Sequence, residues 1–120
     1  INICSKDFVV LSGDDSLTLP MMSVGAKGVI SVASNIIPDD ISDMCSCFKS
    51  GDIQKAIDLH QKNFKLIKNL FIETNPIPVK YALKKIGIID DDELRLPLTR
   101  LEPRNREKLD KFLEQIKTNI

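Results

Sequence analysis

The sequence offers a partner no net charge, since 17 basic residues are balanced by 17 acidic ones. Without an excess of one sign there is no long-range pull on a polyanion, which argues against nucleic acid and anionic membranes as partners. The Lys and Arg of 104–117 do not change this. They are interleaved with Glu107, Asp110 and Glu114, as on a solvated helix face. Cysteine is scarce and odd in number. Cys4, Cys45 and Cys47 are too few to staple a secreted scaffold, so a reducing, cytosolic compartment is expected. Two residues apart on a helix, Cys45 and Cys47 point to different sides and no second pair follows, so they read as structural thiols rather than metal ligands. There is no apolar run of bilayer length and no charged-then-apolar leader, so nothing directs the chain to a membrane. Also missing are a glycine-rich phosphate cradle, zinc-ligand spacing and a Ser/His/Asp set.

What is present suits one modest globular domain: 120 residues, 42% of them hydrophobic. The run Phe8-Val9-Val10-Leu11 is continuous and apolar, the pattern of a strand buried on both faces of a parallel sheet. Asp14 or Asp15 can cap a following helix in which Leu17, Pro20, Met21 and Val24 form one apolar stripe, with Pro20 making the first turn irregular and Gly25 ending it. Val29-Ile30-Ser31-Val32 reads as a second buried strand, which completes a right-handed βαβ unit whose strands end on the same side. Pro38, Asp39 and Asp40 open another helix, buried through Ile41, Met44, Cys45 and Phe48 and closed by Gly51.

From Asp52 onward the strands disappear. Ile53, Ala56, Ile57, His60, Phe64, Ile67 and Phe71 trace one side of a long helix. "ETNPIPVK" breaks it, and a helix from about Val79 to Ile86 follows and ends at Gly87. The loop "IIDDDELRLPLT" leads to a last helix with Pro103 near its start and Leu109, Phe112, Leu113 and Ile116 inside. Two strands do not make a stable parallel sheet, so further strands are expected before residue 1. Ile1 is not a Met and "INICSKDF" enters without a start signal, which gives the same expectation of a longer polypeptide.

The candidate site is where the two strands end. At that edge of an α/β sheet, loops and helix N-termini converge on ligands. Gly13 would let a substrate approach the backbone, and Asp14 and Asp15 could accept its hydrogen bonds; equally, they could be a turn glycine and a capping acid. "GVISVASN" ends the second strand in small side chains that would expose main-chain groups to a cavity, or else simply make a tight connection. His60, the only histidine, falls on the apolar stripe of the long helix and reads as a packed, hydrogen-bonded imidazole rather than a catalyst. The run 90–93 lacks the glycine and spaced ligands of a calcium loop and reads as a solvated loop, with no metal expected.

Taken together, "VLSGDDSLTLPMMSVGAKGVISVASN", "FIETNPIPVKYALKKIGI" and "LRLPLT" closely resemble the C-terminal part of the dihydrodipicolinate synthase and N-acetylneuraminate lyase family, in order over nearly the whole chain. The resemblance implies an α/β fold class, as a C-terminal fragment of a (β/α)8 TIM barrel. Residues 8–11 and 29–32 would be its seventh and eighth strands, 1–51 its last two βα units and 52–120 a C-terminal helical domain. It implies a Schiff-base, class I aldolase-like lyase in which a lysine binds pyruvate and a tyrosine relays protons. The synthase branch condenses the enamine with aspartate semialdehyde on the route to diaminopimelate and lysine. Neither that lysine nor that tyrosine has a match here, so no catalytic residue is expected in this stretch and no cofactor beyond the substrate imine. Lys6 and Lys27 precede their strands, and Lys80 belongs to the helical tail.

What carries over is binding. Ile30 matches the position whose main chain touches pyruvate, and Gly13, Asp14 and Asp15 match the mouth of the pocket. The implied partners are pyruvate, aspartate semialdehyde, the missing N-terminal half of the barrel and further copies in a homo-oligomer, a tetramer when complete. Sugar-acid lyases of the family tend to carry an acid where this chain has Ser16 and a different residue at Ile30, which favours the small aldehyde. Two rivals stand beside this reading: a pyruvate-dependent sugar-acid lyase for N-acetylneuraminate or a 2-keto-3-deoxy acid, and a non-catalytic helical binding module.

Overall fold

The computed structural model describes residues 3–5 and 7–117, with side chains to residue 114. Lys6 and the Ile116 side chain, both assigned roles above, lie outside the described residues. Five α-helices occur among the described residues: α1 Thr18–Ser23, α2 Pro38–Ser50, α3 Ile53–Asn69, α4 Ile77–Lys85 and α5 Pro103–Lys117. The chain divides into two compact units, 1–64 and 65–120.

The expected fold class, an α/β fragment of a TIM barrel with strands at 8–11 and 29–32, is not what the chain forms. The described residues contain no strand; Ser12 and Val29 meet in one isolated parallel bridge. Three main-chain hydrogen bonds make up the contact: Lys27 to the Val10 carbonyl at 2.8 Å, Ser12 to Gly28 at 2.8 Å, and Ile30 to Ser12 at 2.9 Å. The physical reason is that the runs read as buried on both faces are largely uncovered, with Phe8 61%, Val9 59% and Ile30 70% exposed. A parallel pair is stable only with neighbouring strands and helices over both faces, and among the described residues neither segment has a further strand beside it.

The first helical stretch also departs from expectation. Asp15–Leu17 form a 3-10 turn ahead of the six-residue α1. That tighter turn shifts the phase of everything after it. The core therefore takes Thr18, Leu19 and Met22, while Leu17 and Val24 of the expected stripe stay exposed. Pro38 opens α2 at a position that needs no amide, and Asp39 and Asp40 occupy its positive end. Gly51, at φ 90°, closes it in the left-handed region and donates to the Cys47 and Phe48 carbonyls. Ile41 and Met44 are buried as expected; Cys45 and Phe48 are half-buried. The Asp52 carboxylate accepts the Lys55 amide at 3.3 Å to start α3. Asp40 in turn receives Lys62 and Asn63 of α3, each at 2.8 Å. Burial pushes the Asp40 carboxyl up, but the hydrogen bonds of Lys62 and Asn63 and the Lys62 charge outweigh it, and its pKa ends below the ordinary 3.8.

In the unit 65–120, α4 packs on α5. Pro78 occupies the first turn of α4, so the helix starts two residues earlier than the sequence suggested. Ile77, Val79, Ala82, Leu101, Leu109 and Leu113 are buried there. Each fully buried aliphatic side chain of Leu or Ile size contributes roughly 1.5–3 kcal/mol. Tyr81 donates to Asp110 at 2.9 Å, and Lys85 reaches the other oxygen of that carboxylate at 2.8 Å. The 90–93 run is not the wholly solvated loop expected. Asp92 is buried, 2.9 Å from Lys84 and 3.2 Å from Arg100, and Arg100 also reaches Asp91 at 2.8 Å. Burial raises the Asp92 carboxyl, but the Lys84 hydrogen bond, a backbone hydrogen bond and the Lys84 and Arg100 charges outweigh it, leaving it below 3.8.

Candidate functional site

The two segments that meet at the Ser12–Val29 bridge run in the same direction, so the residues just beyond it, Gly13 to Asp15 and Ile30 to Ala33, lie side by side. Ser12 is fully buried. Its hydroxyl donates to the Asp14 carbonyl at 2.7 Å and accepts the Asp14 amide at 3.2 Å, which folds the chain sharply after the bridge. Gly13 is exposed on that bend, and a Cβ there would meet nothing within 4 Å. Asp14 caps the 3-10 turn, accepting the Ser16 amide at 2.7 Å and the Ser16 hydroxyl at 2.6 Å. Asp15 turns the other way. It is 1% exposed, and its carboxylate accepts the Ser31 hydroxyl, the Val32 amide at 2.9 Å and the Ala33 amide at 3.2 Å. Ser31 completes the connection by accepting the Ser34 amide at 2.8 Å.

The structure thus brings the four predicted binding residues together but gives them different places. Gly13 and Ile30 are open, Asp14 is half-buried as a cap, and Asp15 is enclosed. The result is a small shelf of main chain and one apolar side chain, suited to holding a compact ligand through peptide groups. The hydroxyls of Ser12 and Ser31, which are not among the expected site residues, organise the shelf. A signal was available: a buried carboxylate needs donors, and "SVAS" supplies a hydroxyl and successive amides.

The other described candidates each have surroundings of their own. Among the described residues no lysine is buried. Lys27 is exposed and its amide pairs with Val10, on the side of the bridge away from Gly13. In the unit 65–120, Lys80 donates to the Glu93 carbonyl and Lys84 is paired with Asp92. His60 differs from the hydrogen-bonded imidazole expected, because its Nδ1 is buried with no partner. It borders a cavity of about 250 Å³ lined by Leu19, Pro20, Ser23, Phe48, Ile53 and Ile57, and burial lowers its pKa from the ordinary 6.5. No three His, Cys, Asp or Glu side chains cluster in metal-binding fashion among the described residues, and no described helix is long and apolar enough to cross a membrane.

The model of the dihydrodipicolinate synthetase family matches residues 1–116. The chain belongs to this family. Relatives include the 4-hydroxy-tetrahydrodipicolinate synthase of Persephonella marina, 55% identical over 114 residues, which make up 95% of this chain and 39% of the relative. The synthase of Aquifex aeolicus is 50% identical over 110 residues, covering 92% of this chain and 37% of the relative. A crystal structure of the Aquifex aeolicus dihydrodipicolinate synthase superposes with a TM-score of 0.92 at 47% identity, over 97% of this chain and 39% of that one. The 4-hydroxy-tetrahydrodipicolinate synthase of Methylacidiphilum fumariolicum gives 0.92 at 48% identity, over 98% and 39%. The family chain described here therefore spans about two fifths of the length of the relatives it matches.

Proposed function

We propose that this stretch works as the C-terminal part of a 4-hydroxy-tetrahydrodipicolinate synthase, a lyase that condenses pyruvate with aspartate semialdehyde on the route to diaminopimelate and lysine. In this reading it forms one wall of the pyruvate pocket, with Ile30 offering main-chain contact and Gly13 and Asp14 at the mouth. The observation that carries it is the pairing of an open Gly13–Ile30 shelf with a family match running the length of the chain.

The nucleophile comes from elsewhere in the polypeptide. An amine that attacks the pyruvate carbonyl must be uncharged when it does so, and burial away from water is what lowers an ammonium pKa enough. The exposed or ion-paired lysines described above offer no such environment, and Lys85 moves the opposite way. Its hydrogen bond to Asp110 outweighs partial desolvation and raises its pKa above 10.5. The shelf's part is to orient the keto acid, which supplies proximity rather than bond-making.

The test is turnover by the full-length polypeptide that carries these residues. Pyruvate would be offered with aspartate semialdehyde and, separately, with N-acetylmannosamine and other sugar aldehydes. Condensation with aspartate semialdehyde is expected to exceed the rest by at least about a hundredfold in kcat/KM. A preference for a sugar aldehyde would replace the reading with a sugar-acid lyase, and no turnover with any would leave a non-catalytic module.

A further inference from the structure

The four predicted site residues were treated alike by their positions in the sequence, but the structure separates one of them. Asp15 has no open face: its carboxylate is spent on three donors that lie 16 to 18 residues further along the chain. We propose that Asp15 is a positioning residue, which locks the connection after Ile30 against the turn after Ser12 and so sets the shape of the shelf without touching the ligand. This rests on the functional reading above and assigns the work within that site.

The geometry supporting it is a pair of ties bracketing the open residues. On one side the main chain of Ser12 pairs with Gly28 and Ile30 at 2.8 Å and 2.9 Å. On the other, the Asp15 side chain holds the Ser31 hydroxyl and the successive amides of Val32 and Ala33. Gly13 and Ile30, both open, lie between the two ties. Only the first tie is backbone and independent of side-chain identity. The second depends on one carboxylate, and charge-assisted bonds of this kind are about twice as strong as neutral ones. The Asp15 carboxylate links the turn at 12–15 to Ser31, Val32 and Ala33, so its loss loosens Ile30 on its C-terminal side.

Three variants separate positioning from simple stabilisation. In D15N the carboxamide oxygen can still accept both amides, and its nitrogen can donate to the Ser31 oxygen, so the shape is retained with the charge lost. D15A removes the tie, and D15E keeps the charge but pushes the two connections apart by a methylene. In the full-length polypeptide, D15A and D15E are expected to raise the pyruvate KM by about tenfold with kcat changed much less, and D15N to stay within a few-fold of the unaltered protein. Amide hydrogen exchange at Val32 and Ala33 is expected to quicken in D15A and D15E and much less in D15N.

A lowered melting temperature with unchanged pyruvate KM in both D15E and D15A would overturn the proposal, as would a loss confined to kcat, which would put the carboxylate at the reacting atoms. If D15A does not fold, the contrast between D15E and D15N decides alone. Should the unaltered polypeptide not turn over pyruvate, the functional reading fails by itself. The proposal then stands or falls on whether Val32 and Ala33 lose protection in D15E but keep it in D15N.

Discussion

Replacing His60 with Phe should make the unit 1–64 more stable, although it removes a polar group from a site where polarity usually signals a purpose. His60 packs against Phe64 with ring centroids 5.6 Å apart and planes tilted by 57°, and its Nδ1 is buried without a hydrogen-bond partner. An unmet buried polar atom costs roughly 1–3 kcal/mol. Because the ring is only half-buried, the lower end applies, and H60F should gain about 1 kcal/mol in urea unfolding at neutral pH. The adjoining cavity of about 250 Å³ leaves room for the larger ring, so overpacking should not cancel the gain. The variant should also change the response to acid. Burial holds the His60 pKa below 6.5 in the folded state, so the unfolded chain binds the proton first. The stability linked to it is complete above pH 6.5 and is lost as pH falls from there through the folded pKa. H60F should lack that decline, so its advantage should widen between pH 7 and pH 5. An advantage that stays constant over that range, or a variant less stable than the parent at pH 8, would refute the reasoning.

Gly51 sits at φ 90° with nothing within 4 Å of a would-be Cβ, so G51A should cost about 1–2 kcal/mol through backbone strain alone. A loss of only a few tenths in urea unfolding would contradict that conformation. Removing the buried carboxylate in D92A leaves Lys84 without its partner and Arg100 with Asp91 alone, both half-exposed where water can recover them, so the expected loss is about 1–2 kcal/mol at pH 7. Because the folded pKa of Asp92 is depressed, its contribution is present above pH 3.8 and disappears as pH falls through the folded value. Parent and D92A should therefore converge in strongly acidic solution, and an undiminished gap there would show that packing, not charge, is at stake.

Helix boundaries set by local chemistry were legible in the sequence. Pro38, Gly51 and Pro103 act on the turns they occupy, and α2 and α5 begin or end at those residues. The strands were not legible, because an apolar run such as "FVVL" records what a segment is suited to be buried by, not whether a cover is there. Phe8 and Val9 stay largely exposed, and beside them the described residues form only the isolated Ser12–Val29 bridge. α1 was misphased for a smaller reason, since the 3-10 turn at Asp15–Leu17 moved Leu19 and Met22 into the core in place of Leu17 and Val24. At the candidate site, the motif puts Gly13, Asp14, Asp15 and Ile30 near one another, as the structure does, but the different placing of the two acids was not legible. Whether Asp14 or Asp15 caps the turn depends on where Ser31 to Ala33 arrive, and that is set by a contact between residues far apart in sequence.

Borohydride trapping asks whether the chain shapes a pyruvate pocket without supplying its nucleophile. The full-length polypeptide would be treated with pyruvate and borohydride, and the reduced adduct located by peptide mass spectrometry. A single modified lysine outside these 120 residues is expected. An adduct on Lys27, Lys80 or any other lysine within them would contradict it.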